Sequence, residues 1–451
     1  MSILLGTDDV ESRRQPPANL WYGIQWNIPQ SGDTNIAVTR IGNMDLHQLL
    51  PLQKKMRRCL LSDNGQVLNY LSATDSTKLT SGATADLTGG SGMVEVEMPD
   101  AYYKFDKDGT YARCMLSPYP LAGFKLWKKK YISAYEASVS RTTLTLASVV
   151  NNTAEYRGGN NTASWDETYR SLLGRPVTNL STVEFMNYAR KRGAGWYSNL
   201  YEAHLQMFWL FAVEFCTFNS QAVLGGASKS YVQQADGSKY AITNAQGLMD
   251  GGLGDGVSRW TGDQWASLNS YNPFVPCGIT NVLGNRTGTV PYTIIDENGD
   301  TVSTVEVPSY RGIENPFGHI WKWTEGAKVV TVSGAGKLYV AEDLTSQSLA
   351  DNNTNVSGYR FAGDLPATDG YVKNILDGDY GDILPKELGG SAASFFYDYF
   401  YQSTSSCRVC AVGGGAHRGA VLPGGRRQRT APVIALVVVV ISLSWYLPTR
   451  L

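Results

Sequence analysis

The chain has 451 residues, enough for two or three domains that each bury a core of their own. Hydrophobic residues make up 43% and charged residues 18%, which is typical of a folded globular protein and excludes a disordered one. Lysine and arginine total 39 against 40 for aspartate and glutamate. With no basic excess to neutralise phosphates, nucleic acid is not expected as a partner.

Glycine (47), tyrosine (26) and tryptophan (11) are abundant, which favours tight turns and exposed aromatic side chains. Such side chains give binding surfaces a large contact area at low entropic cost. The six cysteines form no regular framework, so we predict that most are reduced core residues of a chain folded in a cytoplasm. Residues 1–15 lack a basic start followed by an apolar stretch, so we expect no secretory signal.

The first part of the chain has short, strand-like patterns. We predict a flexible N-terminus at 1–18 and a small β-rich domain for attachment or assembly at 19–120. Apolar and charged residues alternate in 93–98, which predicts a half-exposed strand. Asp108-Gly109 lies between two apolar runs and is typical of a β-hairpin turn.

The second part combines helices with strands and loops. Ser181 and Glu184 form a capping-box pattern that predicts the start of a helix. A longer helix is predicted over about 199–218, where large apolar residues recur at helical spacing. The acidic Gly-containing segment 296–300 separates two strand-like runs and predicts a hairpin. Together these elements predict an α+β domain over 121–425.

Three segments, in order along the chain, carry a resemblance to a known family. Residues 311–323 (RGIENPFGHIWKW) resemble the Gly-Asn-Val-Trp-Glu-Trp signature of formylglycine-generating-enzyme-like, C-type-lectin-type domains. Residues 174–181 and the helix at 202–218 lie where that family has its two helices. Residues 408–416 resemble its Arg-Val-x-Arg-Gly-Gly-Ser segment. The resemblance implies a C-type-lectin-like fold for this domain.

The arrangement is also similar to the variable proteins of diversity-generating retroelements in gut phages and their hosts. Residues 157–161, 310–323 and 395–401 carry this similarity. It implies that the stretch at about 391–425 is diversified while the scaffold around it stays constant. It further implies a receptor-binding component of a phage tail, or a protein on a bacterial surface. Its partners would be a protein or glycan ligand on a bacterial surface and, through the N-terminal domain, tail or assembly proteins; a homotrimer would suit a tail fibre.

The residue types of 391–425 are those of paratope loops. If 395–401 is a strand, Phe396 and Phe400 share one face and the tyrosines share the other. We expect the phenylalanine face to be buried; the tyrosines either contact ligand or pack against a neighbouring loop. The candidate ligand-binding residues are Ser394, Tyr397, Tyr399, Tyr401, Arg408, His417 and Arg418.

The sequence gives no pattern for catalysis, and we expect neither enzyme activity nor a cofactor or metal. In the enzymatic branch of the family a cysteine pair follows the Arg-Gly-Gly-Ser segment, whereas Cys407 and Cys410 lie before or within it. A metal-dependent oxygenase of the formylglycine-generating type is the alternative. Another branch of the family binds iron through clustered histidines, but the four histidines here, His47, His204, His319 and His417, lie far apart in sequence.

Two further sets of residues have structural interpretations. Trp321 and Trp323 share one strand face and suit either sugar stacking or core packing; we expect packing. His204 and His319 are interpreted as hydrogen-bonded structural residues, whereas His417 lies in a Gly-rich turn that suits ligand contact.

The C-terminal segment 426–451 departs from the family pattern. A basic cluster precedes an almost unbroken apolar run at 432–447. Three interpretations remain open: a buried strand or irregular segment, a product of an altered reading frame, or a short membrane helix. The last of these would make the chain a membrane-tethered display protein.

Overall fold

A computed structural model gives the structure of the protein. The residues it describes are 19–28, 38–168, 171–178, 180–218, 220–224, 230–233, 239–242, 275–295, 299, 301–317, 319–320, 322–342, 344, 354–375, 378–390, 399–400, 407–412 and 436–437. The predicted flexible N-terminus at 1–18 lies outside the described residues.

The described elements are few helices and many short strands. The helices are α1 (Met44–Leu49), α2 (Thr182–Arg192), α3 (Tyr201–Phe215) and α4 (Ser220–Leu224). The strands are β1 (Tyr22–Asn27), β2 (Thr39–Gly42), β3 (Arg57–Leu61), β4 (Val67–Tyr70), β5 (Met93–Met98), β6 (Ala101–Lys107), β7 (Tyr111–Ser117), β8 (Lys125–Trp127), β9 (Lys130–Ser133), β10 (Ser138–Ser140), β11 (Thr145–Ala147), β12 (Ser230–Gln233), β13 (Lys239–Ile242), β14 (Gly288–Ile295), β15 (Thr301–Tyr310), β16 (Ile313–Glu314), β17 (Lys322–Val332), β18 (Ala335–Ala341), β19 (Tyr359–Asp364), β20 (Gly370–Ile375), β21 (Pro385–Leu388), β22 (Tyr399–Phe400), β23 (Cys407–Val412) and β24 (Leu436–Val437).

These strands form several antiparallel sheets. The two N-terminal sheets have the orders β2-β1-β7-β6-β8 and β4-β3-β5-β9. The C-terminal part has a five-stranded sheet of order β19-β18-β17-β23-β24 and two three-stranded sheets, β21-β20-β22 and β14-β15-β16. The pairs β10-β11 and β12-β13 are two-stranded. The architecture is therefore mixed, with mostly antiparallel sheets and few helices, which agrees with the α+β class predicted at this coarse level.

Local sequence signals produce the predicted local structure. Ser181 Oγ accepts a hydrogen bond from Glu184 N at 3.2 Å, and Glu184 Oε2 accepts one from Ser181 N at 2.7 Å, so the capping box at the start of α2 is confirmed. In the β6–β7 hairpin, Asp108 Oδ1 accepts hydrogen bonds from Thr110 N and Tyr111 N, at 3.0 and 2.8 Å. Gly109 has φ +88°, the left-handed conformation that this turn requires.

Helix α3 is the centre of the core. Twelve of its fifteen residues are buried, as expected for a helix that is apolar almost all round. Its Trp209 stacks on Trp26 of β1 with ring centroids 5.6 Å apart, and Phe218 packs edge-on against both rings. The helix predicted over about 199–218 is thus confirmed, with its ends at Tyr201 and Phe215.

Polar side chains of α3 and of the elements around it find partners within the core. Gln206 Nε2 donates to Pro99 O at 3.0 Å, and Trp209 Nε1 donates to Gly381 O at 2.7 Å. Gly381 has φ +68°, and a Cβ atom there would lie 2.1 Å from the ring of Phe105. Only glycine therefore allows the backbone at residue 381 to lie this close to Phe105 of β6.

Strand β5 corrects one prediction. The alternation in 93–98 predicts a half-exposed strand, but all six residues are buried. Glu97 is covered because Tyr70 Oη donates to it at 2.7 Å and Lys129 Nζ lies 3.2 Å away. Glu95, only 2% exposed, faces a cavity inside the protein. The charged face of the strand is covered by parts of the chain that are distant in sequence, which a local pattern does not reveal.

The chain on both sides of residue 120 shares one sheet and one core. Strand β9, which follows the predicted boundary, pairs with β5, so that Glu95 lies opposite Ser133. A single hydrophobic cluster extends from Tyr22 in β1 to Cys410 in β23. The N-terminal strands therefore pack directly on the elements of the second part.

Arg58 of β3 joins distant segments at the centre of this contact. Its buried guanidinium donates to Gly312 O and Asn281 Oδ1, both at 2.6 Å. It also donates to Thr280 Oγ1 at 3.0 Å and to Ser76 Oγ at 3.1 Å. One side chain thus satisfies four acceptors that are brought together from three parts of the chain.

We predict that Arg58→Met destabilises the protein by on the order of 3 kcal/mol, because four buried acceptors each lose one hydrogen-bond donor. The neighbouring Arg57→Met is the control, since Arg57 is 46% exposed and its ion pair with Glu97 lies near the surface. Urea unfolding of both variants measures the difference. Equal losses of stability would contradict the role assigned to Arg58.

Candidate functional site

The structure describes only the backbone of two of the predicted ligand-binding residues. Tyr399 lies opposite Tyr371 in the β20–β22 pair, and Arg408 lies opposite Val329 in the β17–β23 pair. Ser394, Tyr397, Tyr401, His417 and Arg418 lie outside the described residues. The predicted binding surface at 391–425 therefore stays a prediction.

Two described residues within the stretch 391–425, Phe400 and Cys410, are buried in the core. Phe400 is 1% exposed, so the prediction that its face is buried is confirmed for this residue, whereas Phe396 lies outside the described residues. Cys410 is fully buried in β23, and its carbonyl oxygen accepts a hydrogen bond from Thr324 Oγ1 at 2.7 Å. The backbone on both sides of 401–406 is thus held by the protein interior.

The apolar run at 432–447 is described at two residues only. Leu436 and Val437 form β24, which pairs with Ala411 and Val412 of β23. For these two residues the structure has a strand, and the rest of the run lies outside the described residues. Within the described part of the chain, every helix is too short or too polar to cross a lipid bilayer.

Most of the cysteines whose side chains the structure describes belong to the core, as predicted. Cys59, Cys114, Cys277 and Cys410 are buried, whereas Cys216 is only partly buried. Burial raises the pKa of the Cys59 thiol to about 12, and it also raises the pKa of Cys114 and Cys277. The thiols of Cys59, Cys114 and Cys277 therefore stay protonated and unreactive near neutral pH.

In the part of the chain that the structure describes, no three His, Cys, Asp or Glu side chains lie close enough together to bind one metal ion. His319 is buried and hydrogen-bonded, as predicted. Trp323 is half-buried in β17, whereas Trp321 lies outside the described residues.

A cavity of about 480 Å³ lies between α2, α3, strand β9 and the chain that follows β15. Helix α3 lines it with Ala203, His204 and Met207, which lie on one face, and Leu200 lines it directly before the helix. Exposed Gly65, Ala194 and Gly195 also line the cavity, so it reaches the surface beside the loop between α2 and α3. A concave site of this size with a few polar groups is the usual form of a small-molecule pocket.

Glu136 is the centre of a buried charge cluster at the wall of the cavity. Its Oε2 is hydrogen-bonded to Nδ1 of His319, and its Oε1 lies 2.8 Å from Nζ of Lys322. Val275 N donates to His319 Nε2 at 3.3 Å, which leaves Nδ1 to carry the proton that bonds Glu136. Burial acts to raise the pKa of Glu136, but His319 and Lys322 outweigh it and lower that pKa. The carboxylate is therefore charged, with Oε2 hydrogen-bonded to His319 and Oε1 in an ion pair with Lys322.

Two polar side chains at the cavity are almost fully buried. His204 is 3% exposed, and its ring packs edge-on against Phe317. Asn315 is 2% exposed, and its Oδ1 lacks a hydrogen-bond partner in the described chain. Burial, aided by the positive charge of Lys322, lowers the pKa of His204 to about 3. The imidazole is thus neutral, with one donor and one acceptor nitrogen. His204 was expected to be a hydrogen-bonded structural residue; its burial agrees with a structural role, and a hydrogen bond to its ring stays a prediction.

Glu95 supplies a further polar group to the cavity. Its Oε1 accepts a hydrogen bond from Ser133 Oγ at 3.2 Å. Burial raises the pKa of Glu95 to about 8, against smaller opposing effects of Ser133 and Arg192. At neutral pH this carboxyl group is therefore mostly protonated and able to donate a hydrogen bond.

The backbone around Asn315 has an uncommon conformation. Arg311, Asn315 and His319 have φ values of +50°, +48° and +77°, the left-handed region that non-glycine residues rarely adopt. Such conformations persist only where the surroundings fix them, and they are frequent at functional sites. Sequence reasoning singled out 311–323 for its tryptophans but missed Asn315, because its importance depends on Glu136 and α3, which are distant in sequence.

Comparisons with protein-family models, with curated proteins and with solved structures find no match to this chain. The resemblance to C-type-lectin-like variable proteins therefore remains a prediction from the motifs alone.

We predict that the ring of His204 stays neutral from pH 8 to pH 5. In the unfolded chain its pKa is near 6.5, so this group favours folding above about pH 6.5 and that contribution is lost as the pH falls towards 3. The chain has only four histidines, so NMR of a histidine-labelled sample, with His204→Gln to assign the signal, measures the titration. A midpoint near 6.5 would contradict the burial of this ring.

We predict that Glu95→Gln stabilises the protein at pH 8. Glu95 titrates at about 8 when folded and near 4.5 when unfolded, so its contribution to stability is full below about pH 4.5 and is lost as the pH rises through 8. The free energy of unfolding of the variant should exceed that of the wild type by at least about 1 kcal/mol at pH 8, which corresponds to a pKa shift of roughly one unit. At pH 5 the difference should be smaller. Thermal unfolding at both pH values measures this. Glu387→Gln is the control at an exposed carboxylate.

Proposed function

We propose that the protein is a non-catalytic binding protein with a C-type-lectin-like scaffold that presents the stretch at about 391–425 to a ligand. The single observation that carries this proposal is the anchoring of the stretch. Phe400 and Cys410 are buried at 1% and 0% exposure, so both ends of 401–406 are fixed by the core. A fixed backbone reduces the ordering cost of binding and tolerates replacement of outward side chains.

The position of β23 gives further support. This strand lies between β17 and β24, and its backbone bonds to β17 do not depend on side-chain identity. Substitutions near it can therefore change contacts with a ligand while the strand keeps its place. This property suits a diversified receptor-binding component of a phage tail or of a bacterial surface, with a protein or glycan on a bacterial cell as ligand.

We predict that the combined change Tyr397→Ser and Tyr401→Ser reduces binding to bacterial cells by about tenfold or more, because aromatic side chains dominate the energy of such interfaces. Fluorescently labelled protein is measured on a panel of gut bacterial strains. Tyr119→Ser is the control, since Tyr119 is 53% exposed and lies far along the chain from 391–425. Equal binding of all three proteins to a strain that the wild type recognises would refute the proposed surface.

The neighbouring DNA gives an independent test of diversification. We expect a reverse transcriptase gene nearby and a near-copy of the codons for about 391–425 that differs mainly at adenines. Sequencing of the locus from several isolates measures this. Variation spread evenly along the gene would argue against the proposal.

A further inference from the structure

The cavity beside α3 is lined, in the described part of the chain, by residues outside the C-terminal stretch 391–425. His204 and Asn315 are more than nine-tenths buried and line the cavity, and Asn315 Oδ1 has no hydrogen-bond partner in the described chain. A buried polar group without a partner costs about 1–3 kcal/mol. A guest molecule that bonds to both side chains would recover this free energy.

The charges around the cavity restrict the chemistry of such a guest. Glu136 is paired with His319 and Lys322, and Lys130 Nζ lies 3.1 Å from Glu202. An ionised guest would have to break one of these ion pairs or keep its own charge unpaired in a buried site. Either event costs binding free energy. The charge pattern therefore favours a guest without net charge.

The remaining lining suits a guest that has hydroxyl groups and an apolar face. The neutral imidazole of His204 offers one donor and one acceptor, Asn315 Oδ1 offers an acceptor, and a hydroxyl group can serve both roles at once. Tyr131, Trp196 and Trp323 contribute aromatic surface to the same cavity. Its volume of about 480 Å³ lies within the range of small-molecule sites.

We propose that this cavity binds an uncharged polyhydroxyl compound of mono- to disaccharide size, with His204 and Asn315 as its buried hydrogen-bonding partners. The described residues that line the cavity all lie outside 391–425, and the proposal does not depend on the binding function proposed for that stretch. The exposed residues Gly65, Ala194 and Gly195 mark the route by which the guest enters.

The test compares three sugars that differ in charge but little in size. Glucose is neutral, glucosamine is a cation and glucose 6-phosphate is an anion. Each is titrated into the full-length, histidine-labelled chain while the His204 ring signal is followed by NMR. We expect glucose to shift this signal at a concentration about tenfold lower than either charged sugar, because a charged guest leaves a buried charge unpaired.

Two variants separate the role of His204 from a general effect on the fold. His204→Leu removes the ring nitrogens, and we expect it to weaken glucose binding, measured by calorimetry, by about tenfold. His47→Leu changes a buried histidine that does not line the cavity, and we expect glucose binding to be unchanged. Thermal unfolding checks that both variants are folded. If His204→Leu is not folded, the NMR titration of the His204 ring signal in the wild-type chain tests the proposal.

The proposal is overturned if glucose leaves the His204 signal unchanged up to molar concentration, if the charged sugars shift it equally well, or if folded His204→Leu binds glucose like the wild type. These outcomes are distinct from failure of the proposed function. We expect His204→Leu to bind bacterial cells like the wild type, and the variants at Tyr397 and Tyr401 to bind glucose like the wild type.

Discussion

Helix α3 must be covered on almost every side, and this requirement determines where the other elements lie. Its twelve buried residues are too apolar to face water, so strands from both halves of the chain surround it. Trp209 shows how tightly they do so, because it stacks on Trp26 and bonds to Gly381 O. The N-terminal strands therefore serve as part of the wall of the core, in addition to any role in attachment.

The same helix connects the core to both candidate sites. One face places Ala203 and His204 at the cavity. At its start, Tyr201 Oη donates to Asp382 Oδ1 at 3.2 Å, and Asp382 also pairs with Arg360 of β19, the edge strand of the sheet that contains β23. The helix thus borders the cavity on one side and is linked to the sheet of β23 on another.

Local features of the fold could be predicted from the sequence, and features made by distant contacts could not. The capping box at Ser181 and the turn at Asp108-Gly109 depend on a few neighbouring residues, and both are confirmed. Glu95 was misread, because its alternating pattern does not reveal that later elements cover it. The bond between Glu136 and His319 joins residues 183 positions apart, so no local pattern could have indicated it. The predicted ligand-binding side chains at 391–425 stay untested.

The place of β23 has a consequence for synthesis of the chain. This strand lies inside its sheet, between β17 and β24, with Lys322 opposite Val412. As the polypeptide leaves the ribosome, β17 therefore has an unpaired edge until some ninety further residues have emerged. Pairing across such a long separation is slow, and an open edge invites association between nascent chains. A chaperone that shields β17 during this interval would raise the yield of native protein.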